Sequence, residues 1–211
     1  MSSSNLIRLG GLAAVVSGVL FVIAELLYLV VGMSPPAEDL NSGTAVVQGV
    51  LFLLGGMLLV GGLIGLYINR KDELGILGAA GFIVAFAGST FAIGAFSGGA
   101  FVVPALAELA PDLVEAGPPP LVMFADVTAF ALLTLGWLLL GLAFLRSRVY
   151  PRWAAILLMV GAVIAFFPLP FSMVPFGAAV AWAGFSLLSE GAPWSGAAPA
   201  RGTTEGGARV R

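Results

Sequence analysis

LGILGAAGFIVAFAGSTFAIGAFSGGAFV, residues 74–102, is the stretch on which the reading of the chain turns. Gly78, Gly81, Ala85, Gly88, Ala92, Ala95 and Gly99 follow one another at intervals of three and four, the spacing that keeps residues on one face of a helix. In lipid there is little hydrophobic drive between helices. Close backbone contact over small side chains becomes a main source of packing energy, and such a stripe marks a buried helix contact. The stretch therefore predicts a central, membrane-spanning helix, and the one most enclosed by protein.

The rest of the composition agrees. Of 211 residues, 60% are hydrophobic and 9% are charged, against roughly 25% charged in soluble domains. The expected fold class is all-α, a polytopic membrane helix bundle whose surroundings are the lipid bilayer. A net charge of -2 with no basic cluster in a foldable region leaves nothing to grip phosphates, so nucleic acid is not expected as a partner. The chain has neither cysteine nor histidine. That excludes disulfides, thiolate nucleophiles, Cys-ligated metals, His-ligated haem, H-E-x-x-H zinc sites and Ser-His catalysis. Lys71 lies between charged neighbours outside any apolar run, which excludes an intramembrane Schiff base. No metal or cofactor is expected, and no enzyme: an intramembrane aspartyl protease needs a second aspartate at depth, and Asp126 has no such companion.

Outward from the central stretch, apolar runs at 9–31, 44–68 and 121–145 each suffice for a span. The first is too long for the apolar core of a signal peptide and is expected to remain as a helix. Pro35, Pro36, Glu38, Asp39 and Asn41 form a polar break, Asn69 to Glu73 a tight charged turn, and 104–120 a long acidic loop ending in Pro118, Pro119 and Pro120. Residues 154–188 are too long for one helix across a core of roughly 30 Å, and Pro168, Pro170 and Pro175 interrupt them. Two short helices, 153–167 and 171–189, are expected, either as two spans or as a re-entrant hairpin. Six spans result, residues 1–189 forming one transmembrane domain and residues 190–211 a disordered cytoplasmic tail.

Basic residues set the orientation, since Lys and Arg collect in short cytoplasmic loops. With six spans, Arg8, Arg70, Lys71, Arg146, Arg148, Arg152 and the tail arginines fall on one side and none on the other. Both termini are thus expected in the cytoplasm, with the chain a multi-pass protein of the inner (plasma) membrane. Tyr67, Tyr150 and Trp153 read as interfacial anchors, and Trp137 and Trp182 as packing residues.

Polar groups within apolar runs are the candidates for function: Glu25, Gln48 and Asp126. A charged group in hydrocarbon costs on the order of 3 kcal/mol, so it faces protein or water. Glu25 is seven residues from Gly18 and Gln48 seven from Gly55, which puts both on the small-residue faces of their helices. Glu25 and Asp126 also lie at similar depth, roughly 10 Å from the same surface at 1.5 Å per residue. One reading is an outward-facing polar site, a candidate for proton or cation coupling. The other is that each carboxyl bonds a neighbouring backbone group or hydroxyl and only holds helices together. A third leaves Asp126 reaching to the interface.

Residues 141–161, GLAFLRSRVYPRWAAILLMVG, resemble bacterial six-span membrane proteins grouped as a domain of unknown function. The resemblance implies a six-span fold and no activity. The residues themselves favour a non-enzymatic membrane component, an accessory or scaffold subunit whose Gly/Ala-rich faces pack against another membrane protein or a second copy. The alternative is a small transporter or ligand-binding membrane protein using Glu25, Gln48 and Asp126.

Overall fold

The computed structural model describes residues 3–32, 36, 39–148, 150–167 and 169–190. The tail expected from residue 190 lies, from 191 on, outside the described residues, as do Pro35, Glu38 and Pro168 of the expected loops. Among the described residues the regular elements are all helical: α1 (Ser3–Leu26), α2 (Tyr28–Val31), α3 (Gly43–Ser97), α4 (Val103–Leu109), α5 (Pro111–Glu115), α6 (Pro120–Ser147), α7 (Arg152–Ala165) and α8 (Met173–Glu190). A π-helical turn, Gly98–Val102, joins α3 to α4. Three stretches, Asn5–Val31, Gly43–Leu109 and Pro120–Ser147, are long and apolar enough to cross a membrane, while α7 and α8 are shorter and equally apolar.

Local chemistry sets the boundaries. Ser42 caps α3 by accepting the Ala45 N–H on its Oγ at 3.3 Å. Pro120 begins α6, where a fixed φ helps and the missing N–H costs no hydrogen bond. Pro151 precedes α7 and accepts the N–H groups of Ala154 and Ala155 on its carbonyl.

Helix α3 has 55 residues but is not straight. Arg70 (φ -136°) and Gly75 (φ 59°, ψ -160°) leave helical geometry, the latter in a region open only to glycine. The charged turn read from Asn69 to Glu73 thus bends α3 into two antiparallel arms, 43–69 and 76–97. Tyr67 and Phe82 stack across the bend at 4.3 Å, and Gly56 receives the Phe96 ring farther along.

Glycines join the helices in sequence around a ring. Gly10 and Gly62 of α1 and the first α3 arm pack on Gly65 and Ala14; Gly81 and Gly88 of the second arm pack on the α6 backbone at Leu139–Leu140 and Leu132–Leu133. Gly141 seats Met159 of α7, Gly161 meets the α8 backbone at Phe176, and Gly18 and Gly184 close the ring between α1 and α8. Each neighbouring pair runs antiparallel. Arg8, Arg70, Lys71, Arg146, Arg148 and Arg152 consequently gather at one end of the bundle, called here the basic end.

The small-residue stripe of 74–102 is buried from Gly78 to Ala92 against α6, whereas Ile83 on the other face of its arm is 65% exposed. This arm takes one place in the ring rather than its centre. The middle is filled instead by Phe21, Trp137 and Phe176, with Trp137 edge-on to Phe176 at 5.4 Å. Trp137 packs as expected from its depth, but Trp182 is 43% exposed because it lies on the α8 face turned away from α1 and α7.

Candidate functional site

Phe21 and Glu25 of α1 and Tyr28 at the start of α2 recur at four and three residues, the spacing of one helix face. Phe21 belongs to an aromatic layer with Phe52, Phe96 and Phe130. Phe96 is the hub, its ring centroid 5.9 Å from Phe21, 5.7 Å from Phe52 and 5.9 Å from Phe130. From this layer, Glu25 is one turn farther from the basic end along α1. Asp126 is one turn before Phe130 on α6, which runs the opposite way. Both acids therefore stand about 6 Å beyond one aromatic layer. Their matched depth is a feature of the fold; lateral proximity is a separate matter.

Glu25 is 2% exposed and reaches α8. Its Oε2 accepts the Phe171 N–H at 2.6 Å and its Oε1 the Met173 N–H at 3.0 Å. The first N–H groups of a helix lack intrahelical partners, and the partial positive charge there favours an anion. Val174 donates to the Phe171 carbonyl, and Pro175 has no N–H to satisfy. Glu25 thus completes the capping of α8 from another helix. Phe171 sits at φ 63°, a left-handed conformation rare for a large side chain, and its bond to Glu25 falls at this strained position.

Gln48 is also buried, and its Nε2 donates to the Ala24 carbonyl at 2.9 Å. Ala24 lies in the last turn of α1, where carbonyls run out of helical donors. Gln48 and Glu25 therefore act on adjacent residues of α1, one tying it to α3 and the other to α8. Asp126 is half-buried, and its side chain makes no hydrogen bond or ion pair among the described residues.

Two cavities adjoin this clamp. The first, about 280 Å³, is lined by Glu25, Tyr28, Phe52, Phe96, Phe130 and the turn between α7 and α8. The second, about 310 Å³, contains Gln48 and shares Tyr28, Phe52 and Phe96 with the first. The structure brings Glu25 and Gln48 to neighbouring chambers, and Asp126 lines neither. Tyr28 and Ser172 were not among the residues singled out from sequence. Tyr28 was legible from its helical spacing to Glu25, while Ser172 joins the site only through the α7–α8 turn. Buried side-chain polar atoms all have partners among the described residues, including Trp137 Nε1, which donates to Ser89 Oγ at 3.3 Å.

Among the described residues, fold and site together define an all-helical protein with three helices of membrane-crossing length and a cavity that pairs a buried carboxyl with aromatic walls. No family model, curated protein or solved structure matches the chain.

Proposed function

We propose that the chain is a six-span protein of the bacterial plasma membrane, with both termini in the cytoplasm, that binds a small ligand non-catalytically in the outward-facing cavity at Glu25. The alternating direction of the helical segments and the gathering of basic residues at one end support the topology. Under it, the α7–α8 pair opens toward the cytoplasm and its connecting turn lies near the outer surface. The resemblance of 141–161 to six-span proteins of unknown function fits the same span order.

The observation that carries the ligand reading is the cavity of about 280 Å³ with Glu25 in its wall. Capping α8 accounts for the carboxyl, but it does not require an open chamber beside it, and such a chamber is what a small-ligand site needs. A scaffold acting through Gly/Ala faces has less support, because most of the helix-face glycines are occupied by neighbouring helices of the same chain. Gln48, in the adjoining chamber, positions α1.

The chain has no native cysteine, so a single thiol tests the reading. Ser172→Cys, in the cavity wall, is expected to react in intact cells with a small impermeant thiol reagent. Ser89→Cys, in the core, is the protected control. Protection of both would remove the outward-facing cavity and this function with it.

A further inference from the structure

We propose that the Glu25 cavity takes an alkylated ammonium group, the cationic head of a small organic molecule or of a lipid. This rests on the ligand reading above and names its chemistry. Phe52, Phe96, Phe130 and Tyr28 line the chamber together with one carboxyl. Aromatic faces attract a cation within about 6 Å of the ring centroid, most strongly when both are out of water. They accept few hydrogen bonds, so a primary amine would depend on Tyr28, Ser172 and the remaining lone pairs of Glu25 for its three N–H groups. An alkylated ammonium spreads its charge over methyl groups and makes no such demand. Glu25 already spends each oxygen on a backbone N–H; it supplies negative potential while its geometry stays fixed by α8.

The surroundings match that charge. No Lys or Arg occurs anywhere in 9–69, 74–145 or 153–200, so no basic side chain from those segments competes for Glu25. The connecting segments at the cavity's end of the bundle carry Asp39, Glu108 of α4, and Asp112 and Glu115 of α5 instead. An acidic rim concentrates cations and repels anions. At about 280 Å³ the chamber has room for an ammonium head and a short apolar body.

The test compares choline with 3,3-dimethyl-1-butanol, which has the same shape without the charge, by equilibrium dialysis against the full chain in detergent. Choline is expected to bind at least about tenfold more tightly, the factor that follows from a desolvated cation–π contact. Phe52→Leu, which leaves Glu25 and its bonds in place, is expected to weaken choline severalfold and the alcohol little. Equal binding of the two probes would overturn the ammonium assignment while leaving a neutral-ligand cavity. Binding of neither would also overturn it, and outside labelling of Ser172→Cys would then tell whether the cavity itself survives. For the source, choline is titrated into nanodiscs of phosphatidylglycerol with and without phosphatidylcholine. Weakening by phosphatidylcholine assigns the site to a lipid head group, and unchanged choline affinity assigns it to a soluble cation; both support the ammonium site.

Discussion

Glu25 and Phe171 are 146 positions apart in the chain, yet Glu25 Oε2 accepts the Phe171 N–H at 2.6 Å. This contact fixes the entry to α8 against the last turn of α1. It also holds the one carboxyl of the cavity in a defined place.

Removing the acceptor should loosen α8 at its start. Glu25→Ala takes the acceptor from the part-buried Phe171 N–H and the buried Met173 N–H, at a cost of up to about 1 to 3 kcal/mol for the buried one. Glu25→Gln keeps one carbonyl oxygen and should cost roughly half as much. Unfolding in mixed micelles measures both, with hydrogen exchange at Phe171 and Met173 rising first. If Glu25→Ala unfolds like the parent, Glu25 is not the cap.

Glycine substitutions separate filled contacts from open ones. A methyl at Gly136 would fall on the backbone of Val84 and Ala85, whereas one at Gly94 meets nothing within 4 Å. Gly136→Ala is expected to destabilise by about 1 to 3 kcal/mol through overpacking. Gly94→Ala should be neutral or slightly stabilising, since alanine favours a helix by up to about 1 kcal/mol. Equal effects at the two positions would contradict the α3–α6 interface.

The bend of α3 depends on backbone conformation rather than space. Gly75 is exposed with open space beside it, but at φ 59°. Gly75→Ala should therefore cost about 1 to 3 kcal/mol from strain alone. The same unfolding measurement checks it, and a neutral result would mean that the arms bend in another way.

Topology has its own readout. Cysteines placed singly at Ser42 and Gly117 are expected to react with an impermeant thiol reagent on intact cells, and one at Ser147 to be protected until the membrane is opened. Labelling at Ser147, or protection at both of the others, would overturn the six-span arrangement.

Much of this architecture was written in local pattern. The charged turn at Asn69 to Glu73, the proline breaks before α6 and α8, and the stripe from Gly78 to Ala92 report short-range geometry, which periodicity and turn chemistry reveal. The place of that stripe's helix was not legible, because a ring and a central helix bury the same small-residue face. Depth was partly readable too: counting residues set Glu25 and Asp126 at one level, and the aromatic layer around Phe96 gives that level a physical basis. Counting along separate helices says nothing of rotation about the bundle axis, so it could not tell that Glu25 would line the chamber and Asp126 would not. Nor could it find the partner of Glu25, a backbone amide whose identity depends on where α8 docks.

The most direct measurement of the central claim is the reaction of Ser172→Cys in intact cells with two methanethiosulfonates of similar size, one bearing trimethylammonium and the other sulfonate. Rates are taken relative to those at exposed Ser42→Cys. A cavity open to the outside and governed by Glu25 should favour the cationic reagent by at least about tenfold, and Glu25→Gln should erase most of that preference. No reaction at residue 172, or equal relative rates for the two reagents, would contradict the account.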